Sequence, residues 1–246
     1  EQNIKITYPI DLHIADKLFQ LNCQSPPAGD DSLRSFFTNK VAVIIGGSAG
    51  IGASLAALLR SWQSTVVSGG RNSHPAVDVT DAVSVRQFID AAVSAHGRID
   101  FVINCAGDLI RRDIEFMTAS QWRDIYRVNV EGCFNVAQAV IPHFRRQQSG
   151  SLLFVGSSSY TRGRGGYAAY SSSKAAVVNF CQALAEELAP VGARVNVASP
   201  GRVKTGLRVR NFGLEPEGSL LCPDHVARQM AAALVTETTG SVFDIT

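Results

Sequence analysis

VAVIIGGSAGIG, residues 41–52, runs from an unbroken apolar stretch into three glycines. Val41–Ile45 has the β-branched, continuous character of a strand buried on both faces. Gly46, Gly50 and Gly52 follow, and Ile51, Leu55, Leu58 and Leu59 then recur at a helical period towards Trp62. Strand, glycine turn and helix in that order suit a diphosphate. Glycine allows the tight turn and the close approach of backbone N–H groups, and the helix N-terminus favours negative charge. The spacing Gly-x3-Gly-x-Gly departs from the common G-x-G-x-x-G, and a plain strand–helix turn would look similar.

The rest of the chain repeats the alternation. Short apolar runs at 64–69, 101–107, 151–157, 193–201 and 241–245 read as strands. Asp81 is placed to cap a helix to about His96; Ser120 opens a long helix towards Phe144, and a third covers Ala168–Leu188. The expected fold is α/β, a Rossmann-like doubly wound parallel sheet of about seven strands in a single domain. SPPAGDDS (25–32) has linker composition. The chain therefore divides into a tail (1–24), a linker (25–37) and a nucleotide-binding domain (38–246).

Bulk properties exclude several classes. The 246 residues are 46% hydrophobic and 18% charged with a net charge of +2, and no basic run points to nucleic acid. Five scattered cysteines without CxxC spacing argue against a disulfide framework or a metal site. No apolar run is long enough for a membrane span and no signal-peptide pattern stands at the N-terminus, so a cytoplasmic location is expected.

After the second strand the chain reads VVSGGRN, with Arg71 and no acid. An acid there would bind the ribose 2′-hydroxyl, whereas a guanidinium can clamp a 2′-phosphate, so NADPH is favoured over NADH. Ser48 could donate to the same phosphate. Asp78 could reach the adenine amino group or simply start a turn.

YAAYSSSK (167–174) puts Tyr170 and Lys174 four apart, on one helix face. A phenol is a poor acid or base at neutral pH, and a neighbouring ammonium favours its phenolate. Ser157 lies at the C-terminal end of a strand, the edge where open parallel sheets place their sites; Ser158 in GSSSY is a slipped alternative. Asn129 is an odd choice inside a helix unless its amide has a partner.

GGSAGIG, DVTD, NCAG (104–107), Asn129, Ser157, YAAYSSSK and SPGRVKT (199–205) together resemble the short-chain dehydrogenase/reductase family over roughly residues 38–246. The resemblance implies hydride transfer between a nicotinamide and a carbonyl or alcohol carbon. It makes Tyr170 the proton donor, Ser157 its orienter, Lys174 the holder of the nicotinamide ribose and Asn129 the positioner of a water. Asn104 and Gly107 would line the adenosine side, and Val203 and Thr205 would meet the carboxamide. The remaining cofactor positions are Gly46, Gly50, Ile51, Gly52, Val79, Ala106, Pro200 and Gly201. It also implies a homo-oligomer, dimer or tetramer. Ile45 and Cys105 depart from the family's usual Thr and Asn. Only six residues separate Arg71 from Asp78, too few for the helix usually found there, so one face of the sheet should be partly uncovered or otherwise covered.

Substrate loops in that family would here carry Arg111, Arg112, Arg162, Arg164, Arg202, Lys204, Arg208 and Arg210. Many such charges are solvated, yet the set suits an anionic, polar substrate; Arg112, Arg162, Arg164 and Arg208 are the phosphate candidates. RVRNFGLEPEGS (208–219) reads as a mobile lid.

NIKITYPIDLHIADKLF (3–19) reads as a strand stopped by Pro9 and a helix capped by Asp11. It either docks on the nucleotide-binding domain or, by resemblance, closes an upstream cytidylyltransferase. Such a fusion resembles the bifunctional CDP-ribitol synthases, which implies reduction of D-ribulose 5-phosphate to D-ribitol 5-phosphate with NADPH. A 3-oxoacyl or unphosphorylated polyol substrate, and a non-catalytic nucleotide-binding module, are the alternatives.

Overall fold

Short runs rich in Val, Ile, Leu and Phe, of which Val41–Ile45 alone is wholly apolar, set the sheet. The computed structural model describes Thr7, Tyr8, Asp11 and residues 29–246. The strands are β1 (Val41–Ile45), β2 (Thr65–Gly69), β3 (Phe101–Asn104), β4 (Gly150–Val155), β5 (Ala193–Pro200) and β6 (Val242–Ile245). All neighbours pair parallel, in the order β2-β1-β3-β4-β5-β6. Because every strand points the same way, all C-terminal ends lie along one edge. The chain leaves β1 towards β2 but returns to β1's other side for β3, so the switch of direction falls between β1 and β3.

Helices cover both faces. One face carries α1 (Asp30–Phe37), α2 (Gly50–Ser61) and α8 (Pro223–Val235). The other carries α3 (Ala82–His96), α5 (Gly132–Gln147) and α6 (Ala168–Leu188). Two short helices remain: α4 (Ala119–Tyr126) precedes α5, and α7 (Gly206–Phe212) follows the C-terminal end of β5. Alternate strand residues supply the two cores: Val43 and Ile45 face α3, whereas Ala42 and Ile44 face α2.

Several expectations change in detail. The sheet has six strands among the described residues, against about seven. Between Arg71 and Asp78 the chain has room only for an isolated bridge, Gly70 to Ala76, and β2 stays half-exposed at the edge. Part of the stretch read as linker (25–37) is α1, whose Leu33 and Phe37 are fully buried; the Phe37 ring lies 5.7 Å from Trp62 and 5.1 Å from Phe101. Asp30 in its first turn pairs with Arg228 on α8. Asp81 caps α3 by accepting from the Val83 amide. The long helix begins at a Thr118 capping box with Gln121 rather than at Ser120. It is interrupted by a π-helical turn, Arg127–Glu131. The tail (1–24) lies outside the described residues except at three positions. There Asp11 accepts from the Thr7 and Tyr8 amides, both upstream of it, which is the reverse of an N-cap.

Candidate active site

The C-terminal ends of β1, β3, β4 and β5 open into a cleft of about 1100 Å³. At the switch point the glycine turn closes against the loop after β3. Gly46 has φ +79°, and a Cβ there would stand 2.6 Å from the Ala106 nitrogen; a Cβ on Gly52 would stand 2.2 Å from the Gly46 carbonyl oxygen. The turn therefore admits only glycine at these positions, and it presents the N-terminus of α2 to the cleft. That is the cradle a dinucleotide diphosphate needs.

All the cofactor candidates except Asn104 line this cleft, including Ser48 and Arg71 at the β2 end and Val203 and Thr205 at the β5 end. Asn104 lies behind it. Its Oδ1 accepts from the Ala106 amide at 3.1 Å and fixes the turn, a structural task. Asp78 realises its turn-starting reading, since Oδ1 accepts from both the amide and the hydroxyl of Thr80, and it also lines the cleft.

Ser157, Ser158, Tyr170 and Lys174 meet on the cleft wall. Lys174 is buried, donates to the Val155 carbonyl at 2.8 Å and stands 5.8 Å from the Tyr170 ring centroid. An ammonium has three donors, so two remain for a ligand. Ser159, which sequence reasoning passed over, donates through its hydroxyl to Ser157 Oγ at 3.0 Å. Ser157 Oγ also accepts from the Ser159 amide at 3.3 Å, which leaves its own proton for the cleft.

Asn129 sits one layer back in the π turn, buried and fully satisfied. Oδ1 accepts from the Asp108 amide (2.8 Å), while Nδ2 donates to the Asp108 carbonyl (2.9 Å) and to Ser173 Oγ (3.0 Å). Ser173 in turn donates to the Tyr170 carbonyl at 2.7 Å. The amide therefore clamps the loop after β3 to the helix that carries Tyr170 and Lys174.

The arginines divide. Arg164 and Arg208 line the cleft, as do Arg202 and Arg210; Arg112 and Arg162 are exposed and do not. Arg208 forks onto Glu215 through Nε (2.6 Å) and Nη2 (2.8 Å), with its guanidinium carbon 3.9 Å from the Phe212 ring centroid. These hydrogen bonds hold the Glu215 carboxyl below the usual carboxylate range. Arg210 pairs with Asp108 at 2.9 Å, and the Arg111 amide donates to Asn211, so the segment read as a lid is tied to the loop after β3. Tyr167, three residues before Tyr170, lines the cleft and meets Phe212 edge-on at 5.5 Å. Its spacing from Tyr170 was the available signal. Burial pushes the Cys105 thiol up to about 12 although Cys105 borders the cleft. Among the described residues no His, Cys, Asp or Glu cluster could hold a metal ion, and no helix is long and apolar enough to cross a membrane.

The sequence profile of the short chain dehydrogenase family matches residues 68–213. The chain belongs to the short-chain dehydrogenase family. Its members are oxidoreductases, and the chain is one of them. It is 38% identical, over its whole length, to the bifunctional ribulose 5-phosphate reductase/CDP-ribitol pyrophosphorylase Bcs1 of Haemophilus influenzae, and spans about half (52%) of that relative's length. An uncharacterized oxidoreductase of Staphylococcus aureus is 34% identical over 69% of this chain and 80% of its own. The 3-ketoacyl-(acyl-carrier-protein) reductase of Brucella melitensis, solved with NADH, superposes with a TM-score of 0.77 at 27% identity, covering 85% of this chain and 97% of its own.

Proposed function

We propose that this short-chain dehydrogenase reduces D-ribulose 5-phosphate to D-ribitol 5-phosphate with NADPH, feeding CDP-ribitol synthesis. The observation that carries the reading is the 38% identity to the Haemophilus bifunctional reductase, which extends through the N-terminal segment to the whole chain. An upstream cytidylyltransferase domain, of which residues 1–24 would be the closing segment, fits that match. A nicotinamide cofactor is supported by the glycine cradle and by the Brucella relative, and its 2′-phosphate by Arg71 at the β2 end in place of an acid. The free thiols Cys105, Cys133 and Cys181 accord with a cytoplasmic location, and a homo-oligomer is the family's habit.

When bound, the cofactor supplies the hydride that reaches the C2 carbonyl carbon. Tyr170 gives its phenolic proton to the oxygen as it gains charge, and Ser157 donates a hydrogen bond to the same oxygen, holding it in line. Lys174, anchored by Val155, binds ribose hydroxyls and keeps positive charge near the Tyr170 ring. Asn129 holds the Asp108 loop and α6 in register, and Arg164 and Arg208 receive the substrate phosphate.

The test follows NADPH absorbance with D-ribulose 5-phosphate, against ribulose, xylulose 5-phosphate, a 3-oxoacyl thioester and NADH. Phosphate-dependent, NADPH-preferring oxidation that disappears in Tyr170→Phe while cofactor binding persists is expected. Turnover of the thioester or of free ribulose alone would refute the substrate, and cofactor binding without any turnover would favour a non-catalytic module.

A further inference from the structure

Two guanidiniums converge on one carboxylate at the wall of the cleft. Arg208 holds Glu215 by a two-point fork, and Arg202 Nη1 stands 3.8 Å from Glu215 Oε1. Both arginines line the cleft, whereas Glu215 reaches them from outside its lining, from the segment after α7. The Phe212 ring face fixes the Arg208 plane, so the fork is already aimed. A guanidinium fork binds a carboxylate and a phosphate in the same geometry. Glu215 thus occupies the kind of position an anionic substrate group would take.

We propose that Glu215 is an internal stand-in for the substrate's phosphate, displaced from Arg208 and Arg202 when the phosphorylated ketose binds, and that it thereby sets specificity for phosphorylated over neutral ketoses. This rests on the reading of Arg208 as a phosphate ligand. A phosphate ester carries more charge and three acceptor oxygens, so it can replace a single carboxylate at two cations. A neutral ketose offers nothing to exchange, and Glu215 stays in place. In its absence both arginines would lack a carboxylate beside the cleft; its single charge offsets part of theirs until the right anion arrives. Displacement also frees the chain that Glu215 tethers, where the Gly213 amide donates to Val209 and the Ser219 amide to Pro216.

The experiment uses inorganic phosphate as the probe, with calorimetry on wild type, Glu215→Gln and Arg208→Lys, each checked by a melting curve. Glu215→Gln keeps the shape and removes the charge, and is expected to bind phosphate on the order of ten-fold more tightly, about the weight of one charge-assisted hydrogen bond. Arg208→Lys, which cannot fork, is expected to bind it more weakly. In wild type, hydrogen exchange of the Gly213 and Ser219 amides should quicken on adding phosphate. Unchanged or weaker phosphate binding by Glu215→Gln, or exchange that slows or stays constant in wild type, would overturn the proposal; the second measurement stands even if the variant does not fold. Neither readout needs turnover. A chain that passes both yet reduces no ketose phosphate would refute the functional reading alone.

Discussion

Asn129→Ala removes three hydrogen bonds at a site that is only 1% exposed. It leaves the Asp108 amide and carbonyl, both part-buried, without these partners. A net hydrogen bond is worth about 1 kcal/mol and an orphaned buried group costs about 1–3 kcal/mol, so the loss should reach roughly 3–5 kcal/mol. For a chain of this size each kcal/mol moves the melting point by about 2–4 °C, which gives a fall of roughly 6–20 °C. Ser173→Ala removes only the 3.0 Å bond and the anchor to the Tyr170 carbonyl, and should cost about 1 kcal/mol. In a double-mutant cycle the pair should couple by roughly 0.5–1 kcal/mol, since they share one contact. Calorimetric melts of the four proteins measure this directly. Turnover should fall with Asn129→Ala while NADPH affinity changes less, because the loop and helix it joins orient the acid rather than the dinucleotide. A melting point within about 2 °C of wild type, equivalent to less than 1 kcal/mol, would refute the clamp.

Gly52→Ala would set a Cβ 2.2 Å from the Gly46 carbonyl, so dinucleotide binding measured by NADPH fluorescence should be abolished. Phe37→Ala empties a fully buried site between Trp62 and Phe101 and should cost about 3–5 kcal/mol in a denaturant titration; a neutral result would make α1 an appendage rather than core. Iodoacetamide at pH 8 should label the exposed Cys222 and spare Cys105, whose thiol, raised to about 12, yields thiolate only as the pH approaches that value; peptide mass spectrometry reads the difference.

The sheet and the glycine turn were legible because burial on both faces leaves an unmistakable record: Val41–Ile45 has no polar residue, and Gly46 and Gly52 tolerate no substitute. Tyr170 and Lys174 were legible through their fixed separation on one helix. α1 was not, since eight residues with two buried side chains, Leu33 and Phe37, follow a Pro-Pro-Ala-Gly stretch and carry no side-chain cap. The arginines were beyond reading individually. Loop positions have no period, so nothing in the sequence separated Arg164, which lines the cleft, from Arg162, which does not. Asn129 looked misplaced in a helix, and it is the backbone around it that departs from the α-helix.

That π turn, Arg127–Glu131, amounts to one residue more than a regular helix would contain. Shortening the segment by a single residue would restore an unbroken helix, yet at 3.6 residues per turn it would swing everything upstream through about 100° relative to α5. Trp122 and Tyr126, stacked at 5.0 Å on the preceding turn, would leave their present face. The surplus residue thus works as a phase adjuster: it lets one continuous rod show its side chains to two neighbours that a uniform pitch could not address together.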